Sequence, residues 1–459
     1  MKFDFNNIIE DQIGDHGIPF SRIKASEKLL GIIKKKIYKK IDSDYYPLKL
    51  PFNIEQDIKN ILKAAKKIQE NYENFIVVGM GGSSLGNELL HYVLNGIYYN
   101  EQKQRNYPRI FFIENIDPDS ISQLFDIIDI RKTIFNITTK SGTTSETILN
   151  MLLIIEKLKK EGLELSKHLI FTTDPEKGFL RTISSDFSIE TFPINPHLGG
   201  RYSVLSHVGL LSAAVEGVNI ESLISGAIKE SERIKNSEPL ETPSFLLALI
   251  QYILYKEKGI NINALFTYSD RLHYIGKWYN QLMAESLGKK ISKEGKEIFT
   301  GITPLCLKGA TDQHSMLQLL LEGPFDKLVI FITPREYKED FKISTNLFSD
   351  ERITYLKDKE FSTLIKTEYL ATRVALKKNR RPNVSIELSS INEYEIGRLI
   401  YLFEFEIIAL GEMFHINPIN QPAVEMGKKY TYGIMGRNGF EKERAEFKKL
   451  AKGNQKYII

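Results

Sequence analysis

Short apolar runs alternate with helical patterns through the first half of the chain, an arrangement typical of parallel α/β layers. Each run has five or six residues, mostly branched or aromatic, as expected of a buried strand. The run FIVVG leads into a glycine-rich turn, and the run TIFNIT leads into a polar turn. After the first turn, a helix is predicted to start at about residue 84. After the second turn, another helix is predicted to run to about residue 159. The predicted strands are residues 75–79, 109–114, 133–138, 168–173 and 189–194.

The second half turns mostly helical over residues 203–258 and then returns to an α/β alternation. We therefore predict an α/β fold built from two doubly wound units in tandem, although no sequence repeat is visible. The later predicted elements are strands at 264–268, 327–333 and 383–388 and helices at 274–287 and 393–413.

The pattern also suggests how the chain divides. The last stretch, residues 439–459, is charged and amphipathic, so we expect it to form a peripheral arm. The predicted parts are an N-terminal helical extension (1–55), a first domain (56–235), a second domain (236–435) and a C-terminal helical arm (436–459).

Composition narrows the class of protein. The chain has 459 residues, 42% of them hydrophobic and 26% charged, which is ordinary for a globular protein. A net charge of +4 is too small to indicate nucleic acid or a membrane surface as a partner. Cys306 is the only cysteine, which fits a reducing compartment, and the N-terminus shows no secretory signal. We therefore expect a cytoplasmic protein.

The most apolar helical stretch, residues 399–416, also carries Glu404, Glu406 and Glu412. Carboxylates at such positions are costly in lipid, so we predict a helix buried in the protein rather than a membrane span.

Two polar turns follow predicted strands. In the first, Gly79-Met80-Gly81-Gly82-Ser83-Ser84, glycines allow the backbone to approach an anion at a helix N-terminus. This turn alone fits a small phosphate, a dinucleotide or a purely structural turn, although Ser84 occupies the last glycine position of a dinucleotide motif. The second turn, residues 138–147, combines several hydroxyls with Lys140. A helix cap needs one hydroxyl, so this density favours a phosphate cradle over a simple cap.

Four further segments contain candidate catalytic groups. A glycine pair precedes Arg201, which can stabilise an oxyanion or lie on the surface. Glu285 ends an apolar helix and is either a base or a solvated glutamate, and His314 lies near a predicted helix start, where it can transfer protons. Gln421 and Lys428 lie in a proline-containing segment, and both can also be ordinary surface residues.

Taken in this order, the six segments resemble the glucose-6-phosphate isomerase family. The resemblance spans about residues 79–428 and includes the compact length of the bacterial form. The Gly-Gly-Arg-Tyr-Ser segment and the segment from Gln421 to Lys428 are specific to that family. The two polar turns are shared with sugar-isomerase (SIS) domains generally.

The resemblance implies two tandem SIS-type α/β/α sandwich domains with parallel sheets. It implies reversible isomerisation of glucose 6-phosphate and fructose 6-phosphate through an enediol(ate), in glycolysis and gluconeogenesis, without cofactor or metal. The family is typically a homodimer in which the histidine matching His314 comes from the partner subunit. The implied substrate-binding residues are Gly82, Ser83, Thr139, Lys140, Ser141, Thr144 and Gln421.

The resemblance also implies the catalytic roles. Glu285 would be the base that moves a proton between C2 and C1, and Arg201 would stabilise the enediol(ate). His314 and Lys428 would open the sugar ring. The chain departs from the family pattern at Asn420, where aspartate is usual, and at Thr139, where serine is common.

Three alternatives remain open at the level of sequence. A non-catalytic SIS-domain sensor would use the same phosphate cradle but would not need Glu285, His314 and Lys428 together. A nicotinamide-dependent oxidoreductase would use the first turn and leave the second unexplained. An isomerase that also accepts mannose 6-phosphate would look the same.

Overall fold

The computed structural model describes residues 1–54, 56–344 and 350–459. Two compact units are present, Met1–Pro418 and Ile419–Ile459. The boundary predicted at residue 55 falls on a residue outside the described ones.

The strands of the described residues all belong to Met1–Pro418. They are β1 Lys2–Asp4, β2 Asn74–Val78, β3 Arg109–Ile113, β4 Thr133–Thr138, β5 Leu169–Thr173, β6 Glu190–Pro193, β7 Ile262–Thr267, β8 Lys289–Ile291, β9 Glu297–Thr300, β10 Thr303–Lys308, β11 Lys327–Pro334 and β12 Asn383–Leu388.

Helices surround and connect these strands. They are α1 Glu10–Ile13, α2 Phe20–Ala25, α3 Glu27–Lys39, α4 Leu50–Ile54, α5 Ile58–Asn71, α6 Gly82–Leu90, α7 Pro118–Ile127, α8 Ser145–Lys160, α9 Leu165–His168, α10 Phe179–Asp186, α11 His207–Val215, α12 Ile220–Asn236, α13 Pro243–Lys258, α14 His273–Leu287, α15 Leu317–Glu322, α16 Glu351–Thr354, α17 Phe361–Lys378, α18 Glu393–Met413, α19 Val424–Ile434 and α20 Glu441–Leu450.

The first sheet is fully parallel and has the strand order β3-β2-β4-β5-β6. From β2 the chain moves to β3 on one side and then returns to β4 on the other, so the winding reverses between β2 and β4. In open α/β sheets, ligands bind at such a reversal, outside the carboxyl ends of the strands. Apolar side chains of β2, β4 and β5 pack against α8 and form a continuous core.

The second sheet repeats this winding. Its order is β1-β12-β11-β7-β10, in which β7, β10, β11 and β12 are parallel and correspond to β2, β3, β4 and β5. The predicted fold class of two doubly wound α/β units is therefore confirmed. The pattern analysis missed β1, which pairs antiparallel with β12, the β8–β9 hairpin, and β10.

The two sheets meet through α6 and α14, which pack antiparallel to each other. Near the N-terminus of α6, a Cβ built on Gly81 would lie 3.1 Å from Gln281 Nε2, near the C-terminus of α14. At the opposite ends, the Tyr92 and Tyr274 rings stack with centroids 3.9 Å apart. Helix α6 follows β2 and helix α14 follows β7, so each helix starts at the carboxyl edge of its own sheet. The carboxyl edges of the two sheets therefore lie at opposite ends of this helix pair.

Helix α18 is buried on nearly all sides, as its continuous apolar pattern predicts. Burial raises the pKa of Glu404 and of Glu406 well above the usual range, because a charged carboxylate is costly in an apolar interior. Burial also acts on Glu412, but hydrogen bonds from Lys293, Lys36 and Tyr45 outweigh it and lower its pKa. Among the described residues, no helix is long and apolar enough to cross a bilayer.

Candidate active site

The two polar turns lie side by side at the carboxyl edge of the first sheet. Strand β2 ends at Val78 and β4 ends at Thr138, and the two strands pair in parallel with Val78 opposite Ile137. The turns that follow therefore border the point where the winding reverses. Their helices, α6 and α8, have Gly81 and Thr144 as N-caps, and neither helix donates a capping hydrogen bond to a side chain at that position, because glycine has none and the Thr144 hydroxyl does not cap α8. Both helix N-termini can therefore donate backbone N–H groups to an anion.

Three predicted phosphate-binding hydroxyls form a cluster in the second turn. Thr139 Oγ1 lies 2.9 Å from Thr144 Oγ1 and 3.5 Å from Ser141 Oγ, and Ser141 Oγ lies 3.4 Å from Thr144 Oγ1. Gly142, at φ +65°, allows the sharp turn that brings them together. Three hydroxyls facing one another can all donate to the same group of oxygen atoms.

Lys140 has a different position from its neighbours. Its ammonium donates to the carbonyl oxygens of Pro196 and Leu198, at 3.1 and 3.0 Å. Desolvation lowers the pKa of Lys140. Lys140 thus joins the second polar turn to the loop that leads into the Gly199-Gly200-Arg201 segment, since its ammonium bonds that loop.

The first polar turn packs directly against the Gly199-Gly200-Arg201 segment. A Cβ built on Gly82 would lie 2.1 Å from the Gly200 carbonyl carbon and 2.6 Å from the Arg201 nitrogen. The two backbones therefore touch in a way that only glycine permits at position 82. Ser203 Oγ also donates to Gly82 O at 3.2 Å. This contact fixes Arg201 beside the helix N-terminus that follows Gly82.

Arg201 is only 1% exposed and reaches the end of α14. Its Nε donates to Ser286 Oγ at 2.7 Å, its Nη1 to Glu285 Oε2 at 3.1 Å and its Nη2 to Pro418 O at 2.6 Å. Trp278 Nε1 donates to the Arg201 carbonyl at 3.0 Å. The guanidinium is held from several directions, so its position is defined before any ligand binds.

Glu285 is held at both carboxylate oxygens. Oε2 accepts from Arg201, and Oε1 accepts from Gln281 Nε2 at 2.9 Å. The Glu285 side chain is 31% exposed, so it remains accessible from solvent. Nearby, burial and the charge of Arg201 lower the pKa of Lys289 to about 8, and the Lys289 ammonium donates to the Glu285 carbonyl oxygen. A carboxylate oriented by two donors can act as a base for a group placed next to it.

His314 lies at the opposite end of α14 from Glu285. It ends the 3-10 turn Thr311–His314, and Asp312 Oδ2 of this turn accepts from the Lys308 nitrogen at 2.7 Å. Near this end, Cys306 Sγ lies 3.3 Å from His273 Nδ1, at the start of α14. Glu285 is twelve residues further along α14, about 18 Å at 1.5 Å per residue.

Gln421 and Lys428 belong to the unit Ile419–Ile459. Lys428 lies on α19 and its Nζ pairs with Glu425 Oε1 at 2.8 Å. Because α19 starts at Val424, Gln421 precedes the helix, and the two residues do not share one helical face.

The structure therefore joins Gly82, Arg201 and Glu285 in one site, with the hydroxyl cluster on the neighbouring strand end. Sequence reasoning did not single out Gln281, Ser286, Trp278 or Lys289. Gln281 is recognisable in principle, because residues four apart share a helix face and it lies four before Glu285. The contacts of Ser286 and Trp278 with the Arg201 segment link distant parts of the chain and leave no local pattern.

Comparisons of the sequence and of the structure with known proteins point to the same family. The phosphoglucose isomerase family model matches residues 61–453. A glucose-6-phosphate isomerase from Carboxydothermus hydrogenoformans is 40% identical over 98% of both chains. A hypothetical protein from Thermus thermophilus has a similar structure, with a TM-score of 0.85 and 28% identity over 95% of this chain and 99% of that one. A glucose-6-phosphate isomerase from Chlamydia trachomatis shares the fold, with a TM-score of 0.73 and 23% identity over 87% of this chain and 77% of that one.

Proposed function

The chain belongs to the phosphoglucose isomerase family, and we propose that it interconverts D-glucose 6-phosphate and D-fructose 6-phosphate through an enediol(ate) intermediate. It is an isomerase of carbohydrate metabolism, acting in glycolysis and gluconeogenesis. The observation that carries the mechanism is the contact of Arg201 with Glu285, fixed beside the first phosphate turn by the packing of Gly82 on Gly200.

Glu285 performs the proton transfer. In the open-chain aldose, its carboxylate removes the proton from C2 while the O1 carbonyl gains a proton, which gives the cis-enediol. Return of the proton to C1 and loss of the O2 proton give the ketose. A positioned general base contributes about 10²–10⁴-fold to such a step.

Arg201 stabilises the negative charge that develops on the oxygens of the enediol(ate). Its charge is permanent and its position is set by Ser286 and Pro418 as well as by Glu285. One well-placed donor of this kind is worth about 2.7–4 kcal/mol in the transition state.

The phosphate group holds the substrate without taking part in the chemistry. The cluster of Thr139, Ser141 and Thr144, together with Ser83 and the N-termini of α6 and α8, binds the dianion, and Lys140 adds positive charge while it secures the adjoining loop. Anchoring the remote phosphate uses binding energy to hold C1 and C2 against Glu285. Gln421 contacts the substrate, and Lys428 takes part in ring opening.

The active enzyme is a homodimer in which His314 serves the site of the other subunit. Support comes from α14. The turn of His314 follows strand β10, whose Cys306 contacts His273 at the start of α14, and His273 lies about 18 Å along the helix axis from Glu285 of the same chain. A histidine acting in ring opening therefore has to come from a second copy.

The enzyme is a cytoplasmic protein, as its single cysteine suggests. The domain limits at residues 55, 235 and 435 stay predictions.

The direct test is an isomerase assay on the purified protein. With fructose 6-phosphate and no added nucleotide or metal, we expect glucose 6-phosphate as the product. Glu285→Gln should lower turnover at least about 100-fold with substrate affinity by calorimetry near that of the parent. Glu297→Gln, on the exposed strand β9, is the matched control and should retain full activity. Substantial turnover by Glu285→Gln would remove Glu285 from its role.

Mixing two inactive variants tests the shared site. In a mixed dimer of Glu285→Gln and His314→Ala, one site lacks both groups and the other has both. Random subunit exchange should therefore restore about a quarter of the activity of the parent dimer on cyclic glucose 6-phosphate. A mixture that stays inactive after exchange would place His314 outside the partner's site.

A further inference from the structure

A buried carboxyl group lies one helical turn behind the first polar turn. Glu88 of α6 is only 6% exposed, and its Oε1 accepts a hydrogen bond from Ser84 Oγ at 2.9 Å. Ser84 is itself fully buried and directly follows Ser83, which belongs to the proposed phosphate site. One hydroxyl group therefore links Glu88 to the turn that receives the substrate phosphate.

A second carboxyl group meets Glu88 at the end of strand β3. Glu114 directly follows this strand, and Gly79 N of the first polar turn donates to Ile113 O at 3.1 Å, so the strand end lies beside the turn. The Glu88 and Glu114 side chains share a hydrogen bond. A carboxylate can only accept, so this bond exists only while one of the two groups holds a proton. We call Glu88 and Glu114 the carboxyl pair.

Glu88 is the member of the carboxyl pair that holds the proton. Burial, the hydrogen bond with Glu114 and the charge of Glu114 raise the pKa of Glu88 to about 8. Glu114 is exposed, so water solvates its charge. The carboxyl pair therefore carries one negative charge at neutral pH and two above about pH 8.

The groups that face the carboxyl pair from α14 balance its second charge only in part. Lys277 lowers the pKa of Glu88, but burial and Glu114 outweigh it. The Lys277 ammonium lies 4.5 Å from the centroid of the Tyr274 ring. Other titratable groups at this place are phenols and a further carboxyl group, namely Tyr92, Tyr274 and Glu101. None of these three supplies a positive charge.

The charged groups of the other elements around α6 are bound elsewhere. His91, one turn after Glu88 on the same helix, is paired with Glu216 at 2.5 Å. The Arg201 guanidinium, which follows the segment packed on the start of α6, donates to Glu285. Helix α11 hydrogen-bonds to α6 through Ser212, a neutral side chain. A second negative charge on the carboxyl pair therefore acts on its surroundings largely uncompensated.

That second charge opposes a phosphate dianion. The second pKa of a phosphate monoester is about 6, so the substrate phosphate is close to a dianion at and above neutral pH. Glu88 lies four residues, or about 6 Å, along α6 from Ser84. Charges this close inside a protein interact more strongly than in bulk water. Ionisation of Glu88 therefore repels the dianion at the start of the same helix, and it also breaks the hydrogen bond that holds the end of β3 against α6.

We propose that the carboxyl pair positions the first polar turn for the substrate phosphate while it shares a proton, and that loss of this proton weakens phosphate binding. The proposal rests on the proposed function, because it takes the first polar turn as part of the phosphate site. Glu88 and Glu114 are positioning residues, since they act through Ser84 and through their charge. Glu88→Gln reproduces the protonated state at every pH, because an amide can donate to Glu114 and accept from Ser84.

Calorimetry with D-sorbitol 6-phosphate tests the effect on binding. This open-chain hexitol phosphate has no carbonyl group, so it can bind but cannot be isomerised. From pH 7 to pH 9, the dissociation constant of the parent should rise at least about fivefold more than that of Glu88→Gln. Lys289 titrates in the same range in both proteins, so the difference between them reports on Glu88. Glu156→Gln, at an exposed residue of α8, is the matched control and should follow the parent.

Two results would overturn the proposal. One is an equal rise of the dissociation constant in the parent and in Glu88→Gln. The other is a loss of affinity in Glu88→Gln that is already present at pH 7, because the amide should there replace the protonated carboxyl group. Glu114→Gln provides a second variant at an exposed position. It removes the charge that raises the pKa of Glu88, so the loss of affinity should begin at lower pH than in the parent.

Guanidinium unfolding tests for the proton itself. Because the pKa of Glu88 is raised from 4.5 to about 8, the folded chain binds more protons than the unfolded chain between these values, and stability falls as the pH rises through this range. Glu88→Gln should remove from this slope the contribution of about one proton. A slope that is the same in the parent and in Glu88→Gln would show that Glu88 holds no proton there and would refute the proposal.

The outcomes separate this inference from the proposed function. If the protein isomerises fructose 6-phosphate but Glu88→Gln loses affinity with pH as the parent does, the inference fails and the isomerase stands. If D-sorbitol 6-phosphate binds with the expected difference but no isomerase activity is found, the inference stands and the activity is refuted. If D-sorbitol 6-phosphate does not bind at pH 7, the inference fails, and the isomerase assay decides the activity independently.

Discussion

The closest backbone approach in the site gives a sharp prediction for Gly82→Ala. The added Cβ would lie 2.1 Å from the Gly200 carbonyl carbon, 2.3 Å from its oxygen and 2.6 Å from the Arg201 nitrogen. Normal contacts between such atoms are about 3.5–4.0 Å, so the first turn and the Arg201 segment must separate by more than about 1 Å. All three neighbours are backbone atoms, and no side chain can rotate away to make room.

The displacement moves two functional groups at once, since Ser83 follows Gly82 directly and Arg201 follows Gly200. A misplacement of about 1 Å costs roughly 100-fold in rate, and overpacking costs about 1–3 kcal/mol in stability. We therefore expect kcat/KM to fall at least about 100-fold, with a loss of about 1–3 kcal/mol in the free energy of unfolding.

Steady-state kinetics in both directions and guanidinium unfolding measure the two effects. Gly31→Ala is the matched control, because a Cβ there meets nothing within 4 Å in helix α3. It should gain about 0.5–1 kcal/mol in stability from better helix propensity and keep its activity. If Gly82→Ala kept kcat/KM within threefold of the parent, the coupling between the first polar turn and Arg201 would be refuted.

Three further predictions concern the polar contacts of the site. Gln281→Leu removes the donor to Glu285 Oε1, so kcat should fall about tenfold with little change in KM, and a change confined to KM would contradict an orienting role. Lys140→Met frees the loop at Pro196 and Leu198, so KM for both sugars should rise at least about tenfold, and Lys140→Arg should recover part of it; equal loss in both variants would contradict the tether. Because burial lowers the pKa of Lys289 to about 8, the unfolded chain binds more protons than the folded chain from about pH 8 to 10.5, and stability rises with pH there. Lys289→Met should remove that rise in denaturant unfolding measured from pH 7.5 to 10, and an unchanged slope would place the Lys289 pKa near its ordinary value.

Several elements follow directly from local patterns. Strands β4 and β12 and helix α18 have the predicted bounds, because long apolar runs and clear polar breaks define them. The edge strand β1 and the hairpin β8–β9 escaped prediction. Each has three or four residues with exposed positions, and β1 exists because β12 offers it a partner. A strand that depends on a distant partner leaves little trace in its own residues.

The sequence by itself determined the two α/β units, the two polar turns and the residue types that proton transfer needs, because glycine turns, runs of hydroxyl residues and strand periodicity are local properties. Only the tertiary structure decided that Gly82 touches Gly200, that Arg201 reaches Glu285 and that Lys140 secures a loop. It also decided that α6 and α14 run antiparallel, which separates His314 from Glu285 of its own chain. These relations depend on how distant segments pack, and the packing of a whole core is not encoded in any one segment.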